Sequence, residues 1–347
     1  MEARHGNGAQ GSASLQGVPG RAVKMRAAVA PRFGGPEVMR VEKIATPQPK
    51  ADELLVRVKA STVSIADHRM RSRDLPKGLG FLIPISIGPF RPRKPVLGMD
   101  VAGVVEAVGE EVTGFQPGDE VIAMLGGDFG GHAEYARVPV SKAIARKPAG
   151  LTWEEAVALV FGGHTALAFL DRIEIGPGTE VLVNGASGAV GTAAVQLAKL
   201  RGARVTAVTS GGNAELVRSL GADRVIDYRA EDFARNGETY DAIVDCVGNA
   251  SFERVEGSIR PGGALLMVVA DLKGMLSARR NSRRSGGLVT FEGAPVTSER
   301  FDAFARLAES GEFRPVIDRT FDLDEIVAAH RYVDTGRKRG NVVLRVA

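Results

Sequence analysis

One stretch restricts this chain more than any other: Val181-Leu182-Val183-Asn184-Gly185-Ala186-Ser187-Gly188-Ala189-Val190-Gly191-Thr192. An apolar strand runs into a glycine-rich turn, and the turn opens a helix. One glycine permits the tight turn, one admits a pyrophosphate to the backbone, and Gly191 lets helix and strand pack closely. The free N–H groups and the dipole at the helix N-terminus attract phosphate. Such a heptad alone is weak, so its surroundings decide. Strand patterns lie over 180–183, 204–209, 224–227, 240–245 and 263–269, with helix patterns over 188–201, 214–220 and 251–259. This alternation predicts a doubly wound parallel sheet, a Rossmann domain over 151–290 that binds a dinucleotide.

The full 347 residues exceed one ordinary core and fit two domains. Residues 25–150 show short strands punctuated by Gly and Pro, which predicts a barrel-like β domain. Five prolines among apolar residues in 75–95 exclude a regular helix or strand there. That loop is read either as the wall or lid of a site or as a loop packed on its own domain. Residues 291–347 hold two amphipathic helices, over 301–310 and 324–333, and a closing strand over 341–346. Residues 1–24 are rich in Gly, Ser, Ala and Gln without apolar period, and read as a disordered leader.

Composition removes several function classes. Aromatics at 5% are thin for stacking bases, and a net charge of +4 suits small anions as well, so no nucleic-acid partner is expected. No run of about 18 apolar residues suggests a membrane span. The single Cys246 rules out an intrachain disulfide and a cysteine-rich zinc site, and suits a reducing, cytoplasmic compartment. Three basic clusters, 69/71/73, 91/93/94 and 279/280/283/284, read as solvated faces. The first two flank the apolar loop, where an anionic substrate tail such as a CoA phosphate could be received.

The second strand of the unit decides between nucleotides. An NAD site ordinarily has Asp or Glu there to hold the ribose 2′-OH. This chain has Val208-Thr209-Ser210-Gly211-Gly212-Asn213, without a carboxylate. Thr209, Ser210, Asn213 and, after the third strand, Tyr228 can serve a 2′-phosphate, so the expected cofactor is NADPH. No arginine or lysine stands in this turn to strengthen the grip.

These residues, with others in order, carry a family resemblance over about 25–346. Met25-Arg26-Ala27-Ala28-Val29, Val63-Ser64-Ile65-Ala66-Asp67, Leu97-Gly98-Met99-Asp100-Val101-Ala102-Gly103, Gly163-His164-Thr165-Ala166, the glycine turn and Gly340-Asn341-Val342-Val343-Leu344 resemble the medium-chain dehydrogenase/reductases of the quinone oxidoreductase (zeta-crystallin-like) branch. The resemblance implies a GroES-like β-barrel catalytic domain built from both chain ends around the Rossmann domain, with the site in the cleft between them. It also implies a homodimer, for which Leu288 to Phe291 offers an edge strand. Zinc-dependent relatives have a histidine where this chain has Met99, and a cysteine near residues 63–67 that is absent here, so no metal is expected. The family's asparagine near the nicotinamide is Ser64, and its closing lysine is Asn341.

Without a Lewis acid, the easier reaction is hydride transfer to a small-molecule conjugated acceptor, a quinone or an α,β-unsaturated carbonyl. Ser64, Asp67 and Thr165 are the candidate catalytic residues. Ser187, Gly188, Ala189, Val190, Cys246, Val247, Gly248, Val269, Ala270 and Asn341 join the turn residues as the cofactor lining. His68, His132, Tyr135 and His164 are further candidate proton donors, with solvent as the alternative. Two other readings remain: an enoyl-thioester reductase acting on a CoA or carrier-bound chain, and a nonenzymatic NADPH- or RNA-binding protein.

Overall fold

The computed structural model describes residues 23–82 and 87–347. The expected leader lies outside them except for its last two residues, as does Pro84 of the proline-rich loop. The chain enters on an antiparallel hairpin, β1 (Lys24–Val29) and β2 (Arg40–Ala45). Strand β3 (Glu53–Thr62) follows, then helix α1 (Ile65–Ser72), β4 (Asp100–Val108), β5 (Glu120–Met124), β6 (Tyr135–Pro139) and β7 (Ile144–Arg146). Between α1 and β4 the described part of the proline-rich loop holds a short 3-10 turn, Gly80–Leu82.

Helices α2 (Trp153–Ala158) and α3 (Val160–Leu170) lead into the second unit. There β8 (Glu180–Asn184), α4 (Ala189–Leu200), β9 (Arg204–Thr209), α5 (Ala214–Ser219), β10 (Arg224–Asp227), β11 (Tyr240–Asp245), α6 (Phe252–Val255), β12 (Ile259–Met267), α7 (Leu272–Ser285) and β13 (Leu288–Thr290) alternate. All five pairings in this sheet are parallel, in the order β10-β9-β8-β11-β12-β13. The order reverses between β8 and β11, which opens a crevice at their C-terminal ends.

The chain then returns. Helix α8 (Ser298–Glu309) leads to β14 (Ile317–Asp322), α9 (Ile326–Asp334) and β15 (Asn341–Arg345). Strand β15 pairs antiparallel with β3, Val343 opposite Thr62, so both chain ends build one seven-stranded sheet. Three large apolar clusters result: one inside the β domain, one on the outer face of the parallel sheet, and one between the units. Met99 packs against both the first and the last.

Four expectations change. The helix expected over 251–259 is one turn, α6, with a 3-10 turn at Glu256–Ser258. The parallel ladder captures the rest, pairing Ile259 with Tyr240, so β12 starts four residues before 263 and ends at Met267. The 163–166 segment is the middle of α3 rather than a helix start. The third basic cluster lies on α7, an unexpected helix that is N-capped by Asp271 and closed by Gly286 at φ 67°.

The third cluster keeps its arginines exposed, but the first is a solvated face only in part, with Arg73 exposed and Arg69 half-buried. Arg71 is fully buried. Its guanidinium donates to Asp334 Oδ1 and Oδ2 at 2.7 and 2.6 Å, to the Gly34 carbonyl at 2.6 Å and to His330 Nδ1 at 3.3 Å. The pair joins α1 to α9 across more than 260 residues of sequence. A buried charge left unpaired is costly. Asp334→Ala should therefore lower unfolding stability by about 3 kcal/mol, the lower end for a broken buried pair, because Asp334 retains 23% side-chain exposure. Urea unfolding checks this, and a loss under about 1 kcal/mol would mark the pair as an ordinary surface bridge.

Candidate cofactor and acceptor site

The glycine turn is built by close approach. A Cβ at Gly191 would stand 2.2 Å from the Gly185 carbonyl oxygen, so no larger residue fits without moving the turn. A Cβ at Gly188 would meet only that same oxygen, at 3.6 Å, and would otherwise project into open space at the start of α4. That open cradle, beside free helical N–H groups, fits a pyrophosphate.

Hydroxyl chemistry continues the cradle toward β9. Ser187 Oγ accepts from Thr209 Oγ1 at 2.9 Å and from Asn213 Nδ2 at 3.1 Å. Ser210 Oγ accepts from the same Asn213 amide at 3.2 Å. Both serines therefore keep their own protons for an incoming acceptor such as a phosphate oxygen. Asn213 is a positioning group whose two N–H bonds are already made. Tyr228 joins the cluster through its backbone, which donates to the Thr209 carbonyl at 3.2 Å, and its side chain is 60% exposed.

Toward β11 and β12 the lining is backbone. The buried Asp245 carboxylate accepts from the N–H groups of Val247, Gly248 and Ala250 at 2.9 to 3.2 Å and from Asn184 Nδ2 at 2.8 Å. This fan fixes the turn through Cys246, Val247 and Gly248. Gly248 lies against the Val269 side chain, so Val269 and Ala270 complete a continuous row along the strand ends. Burial pushes the Cys246 thiol well above its usual range, consistent with a packed residue rather than a nucleophile.

Two features escaped the sequence. Asp227, at the end of β10, sets Oδ2 against Gly211, so the carboxylate absent from the β9 turn arrives from the next strand. Lys338 reaches back to the Gly340 carbonyl at 2.8 Å. Gly340 itself donates to the Ser187 carbonyl at 2.8 Å and bridges Gly188. A cation thus stands at the joint between the closing strand and the glycine turn, where Asn341 had been expected to act. Burial brings the Lys338 ammonium down to about 8. The Lys338–Gly340 contact could not be read as a motif because Lys338 stands between Arg337 and Arg339, and a basic run of that kind reads as a solvated face.

Other expected residues are spent on structure. Asn341 is buried and ties its amide to the carbonyls of Ala158 and Val316 at 2.9 and 3.1 Å. Ser64 and Asp67 form the capping box of α1. The Ser64 hydroxyl donates to Asp67 Oδ2 at 2.6 Å, while Asp67 Oδ1 accepts from Gly98 N–H at 2.8 Å. Asp67 has no exposed surface, so it is a positioning residue and cannot deliver a proton to substrate. Thr165, half-buried, donates to the Phe161 carbonyl at 2.7 Å and keeps its lone pairs. His132 is buried with Nε2 on the Thr62 carbonyl at 2.9 Å. His68 is pinned between Asp334 and Asp74 at 2.6 and 3.3 Å. Burial raises the Tyr135 phenol.

The Gly98-Met99-Asp100 strand start does not fit a zinc ion. Met99 presents a thioether between the two cores. Asp100 is fully buried and held by Thr62 at 2.6 and 2.7 Å and by Ser61 at 3.2 Å, and burial pushes its carboxyl up to about 7. Among the described residues no three His, Cys, Asp or Glu side chains converge as a metal site. No described helix is long and apolar enough to cross a membrane.

Two family models match the chain: an alcohol dehydrogenase GroES-like domain over residues 50–149, and a zinc-binding dehydrogenase over residues 220–344. A 2-methylene-furan-3-one reductase of Solanum lycopersicum is 33% identical over 332 residues, covering 90% of this chain and 76% of that one. A chloroplastic NADPH-dependent alkenal/one oxidoreductase of Arabidopsis thaliana is 31% identical, covering 92% and 79%. The quinone oxidoreductase of Coxiella burnetii superposes with a TM-score of 0.80 at 26% identity, covering 94% of this chain and all of that one.

His164 supplies a pH test. Burial against Phe301 lowers its imidazole from 6.5 to about 4. Its folded value is depressed, so the unfolded chain takes up a proton that the folded one refuses. The stability tied to neutral His164 is complete above about pH 6.5 and is lost as the pH falls toward 4. His164→Gln should flatten this part of the stability–pH curve. An imidazole titrating near 6.5 by NMR would remove the explanation.

Proposed function

Since the chain belongs to the medium-chain dehydrogenase/reductases, in their quinone oxidoreductase branch, we propose that it is an NADPH-dependent, metal-independent reductase of quinones or α,β-unsaturated carbonyls. One observation carries the choice of acceptor. Where a metal-dependent relative needs ligands, Met99 fills the space with a thioether, and Asp67 and Asp100 are spent on hydrogen bonds. An unactivated ketone needs a Lewis acid or a positioned proton donor, whereas a conjugated acceptor spreads its charge onto an enolate.

The dinucleotide, when bound, supplies the hydride. The chain's residues hold and orient it. Gly188 leaves room for the pyrophosphate, and Ser187 and Ser210 offer hydroxyl protons toward a 2′-phosphate. Lys338 adds a positive charge at the Gly340 joint. The exposed Arg229, stacked over Tyr228 at 5.8 Å, offsets Asp227. The acceptor must also gain a proton, an enone on the carbon beside its carbonyl and a quinone on oxygen. Asp67 is enclosed and His164 is neutral at pH 7, which supports delivery from solvent.

The lone Cys246 supports a reducing, cytoplasmic setting. The open edge of β13 supports a homodimer formed by pairing two sheets. Light scattering that gave the mass of one chain would remove the dimer.

The test is NADPH oxidation with 1,4-benzoquinone and but-3-en-2-one. Turnover should survive excess EDTA, and NADH should show a KM at least tenfold higher. Lys338→Met should raise the KM for NADPH about tenfold, a loss of about 1.4 kcal/mol. Activity lost to chelation, or equal use of NADH, would overturn the corresponding part of the reading.

A further inference from the structure

Helix α7 begins two residues after Ala270, at the end of the proposed cofactor row. It carries Lys273, Arg279, Arg280 and Arg283 on exposed positions, and Leu276 beside them is 78% exposed. Against its first turn lies the start of the proline-rich loop. Leu272 N–H donates to the Lys77 carbonyl at 3.0 Å, and Gly78 sits so close to Leu272 that a Cβ there would stand 2.7 Å away. The groove between them has a volume of about 530 Å³, and its two walls come from the two units of the chain. A second cavity, around Phe90 and Arg91, is lined by the β unit alone.

We propose that this groove receives the tail of a thioester substrate carried on phosphorylated pantetheine, with coenzyme A as the source. This deepens the reductase reading and rests on it. Leu272 and Leu276 offer an apolar wall to the aliphatic part of the tail. Lys77, Lys273 and Arg280 offer charge to its phosphates. Lys77 and Arg280 take part in no ion pair among the described residues, while Lys273 shares its charge with Glu253 at 3.0 Å. The one acid lining the groove, Asp271, uses Oδ1 to cap α7 through Gly274 N–H at 2.7 Å. The volume lies within the range of small-molecule sites. The position matters as much: a tail lying here would start where the reacting end of the cofactor finishes.

The experiment compares crotonyl-CoA, the neutral crotonyl-N-acetylcysteamine, a carboxylate-tailed enone and but-3-en-2-one as acceptors. The enzymes are wild type, the double variant Lys77→Glu/Arg280→Glu, and Arg172→Glu as an exposed control. Wild type should show a KM for crotonyl-CoA at least tenfold below that for the neutral thioester. The double variant should raise the first tenfold or more while leaving the second, and both kcat values, unchanged. Added salt should weaken only the crotonyl-CoA reaction. Equal KM values for the two thioesters in wild type would overturn the proposal, as would a carboxylate-tailed enone that gains as much as crotonyl-CoA. A double variant that weakens both thioesters alike would overturn it too. If but-3-en-2-one is still reduced in those cases, the reductase reading stands; no NADPH oxidation with any acceptor sinks that reading itself.

Discussion

The structure turns on one small contact. Gly340 donates to the Ser187 carbonyl, at the start of the closing strand β15, and lies beside Gly188 in the phosphate turn. Its φ is 67°, and a Cβ there would stand 2.3 Å from the Val316 carbonyl oxygen, so the position demands glycine twice over. Through it the last strand of the β unit is bonded to the first turn of the parallel sheet. Because β15 also pairs with β3, a shift of the cradle is felt in the strand that leads to Ser64 and α1. The cofactor turn and the acceptor side are mechanically one object.

That continuity explains why so many polar residues near the cleft are bonded to the protein itself. Ser64 and Asp67 cap α1, Thr62 and Ser61 hold Asp100, and Asn341 ties α2 to the loop before β14. Each bond satisfies a group that would otherwise be buried unpaired, at a cost of about 1–3 kcal/mol apiece. What remains free is correspondingly informative. The Ser187 and Ser210 hydroxyl protons and the open space over Gly188 are left unclaimed by the protein itself. Chemistry at such a site comes from positioning and from the bound dinucleotide, with few side chains available for proton transfer.

The parallel sheet was legible because its signals are local. β9, β10 and β11 fall on their apolar runs, and the glycine turn reads directly from its spacing. The α6–β12 boundary was not, since a ladder partner twenty residues away decides whether Ile259 ends a helix or begins a strand. Helix α7 was hidden by its composition: four arginines, three serines and a glycine leave little apolar period to detect. At the site, the hydroxyl cluster was readable as residue types, but the donor directions were not. Ser64 and Asn341 show the same limit: a polar residue in a matching position says nothing about which bond has already claimed it. Arg71 fails in the same way: its neighbours in sequence are basic, but its partner Asp334 comes from the other end of the chain.

Those misreadings share a cause that also orders the functional argument. Side chains brought together over long sequence distances carry the fold, and those left exposed next to the strand ends carry selection. Asp227 and Lys338 show the consequence. A carboxylate reaches Gly211 from β10, beside the turn proposed for a 2′-phosphate, and a lysine stands at the Gly340 joint. Coulomb interaction at a half-buried ammonium is weakly screened. Asp227 is itself half-buried, and its Oδ1 already accepts from Arg229 N–H at 3.0 Å, which removes part of its repulsion. Burial that brings Lys338 down to about 8 makes the same point in reverse. Its ammonium already donates to the Gly340 carbonyl, and burial still makes the charge costly, so an arriving phosphate would recover more there than at a solvated lysine. The proposed preference for the phosphorylated nucleotide therefore has to be weighed at two residues that lie outside the turn in which selectivity is usually sought.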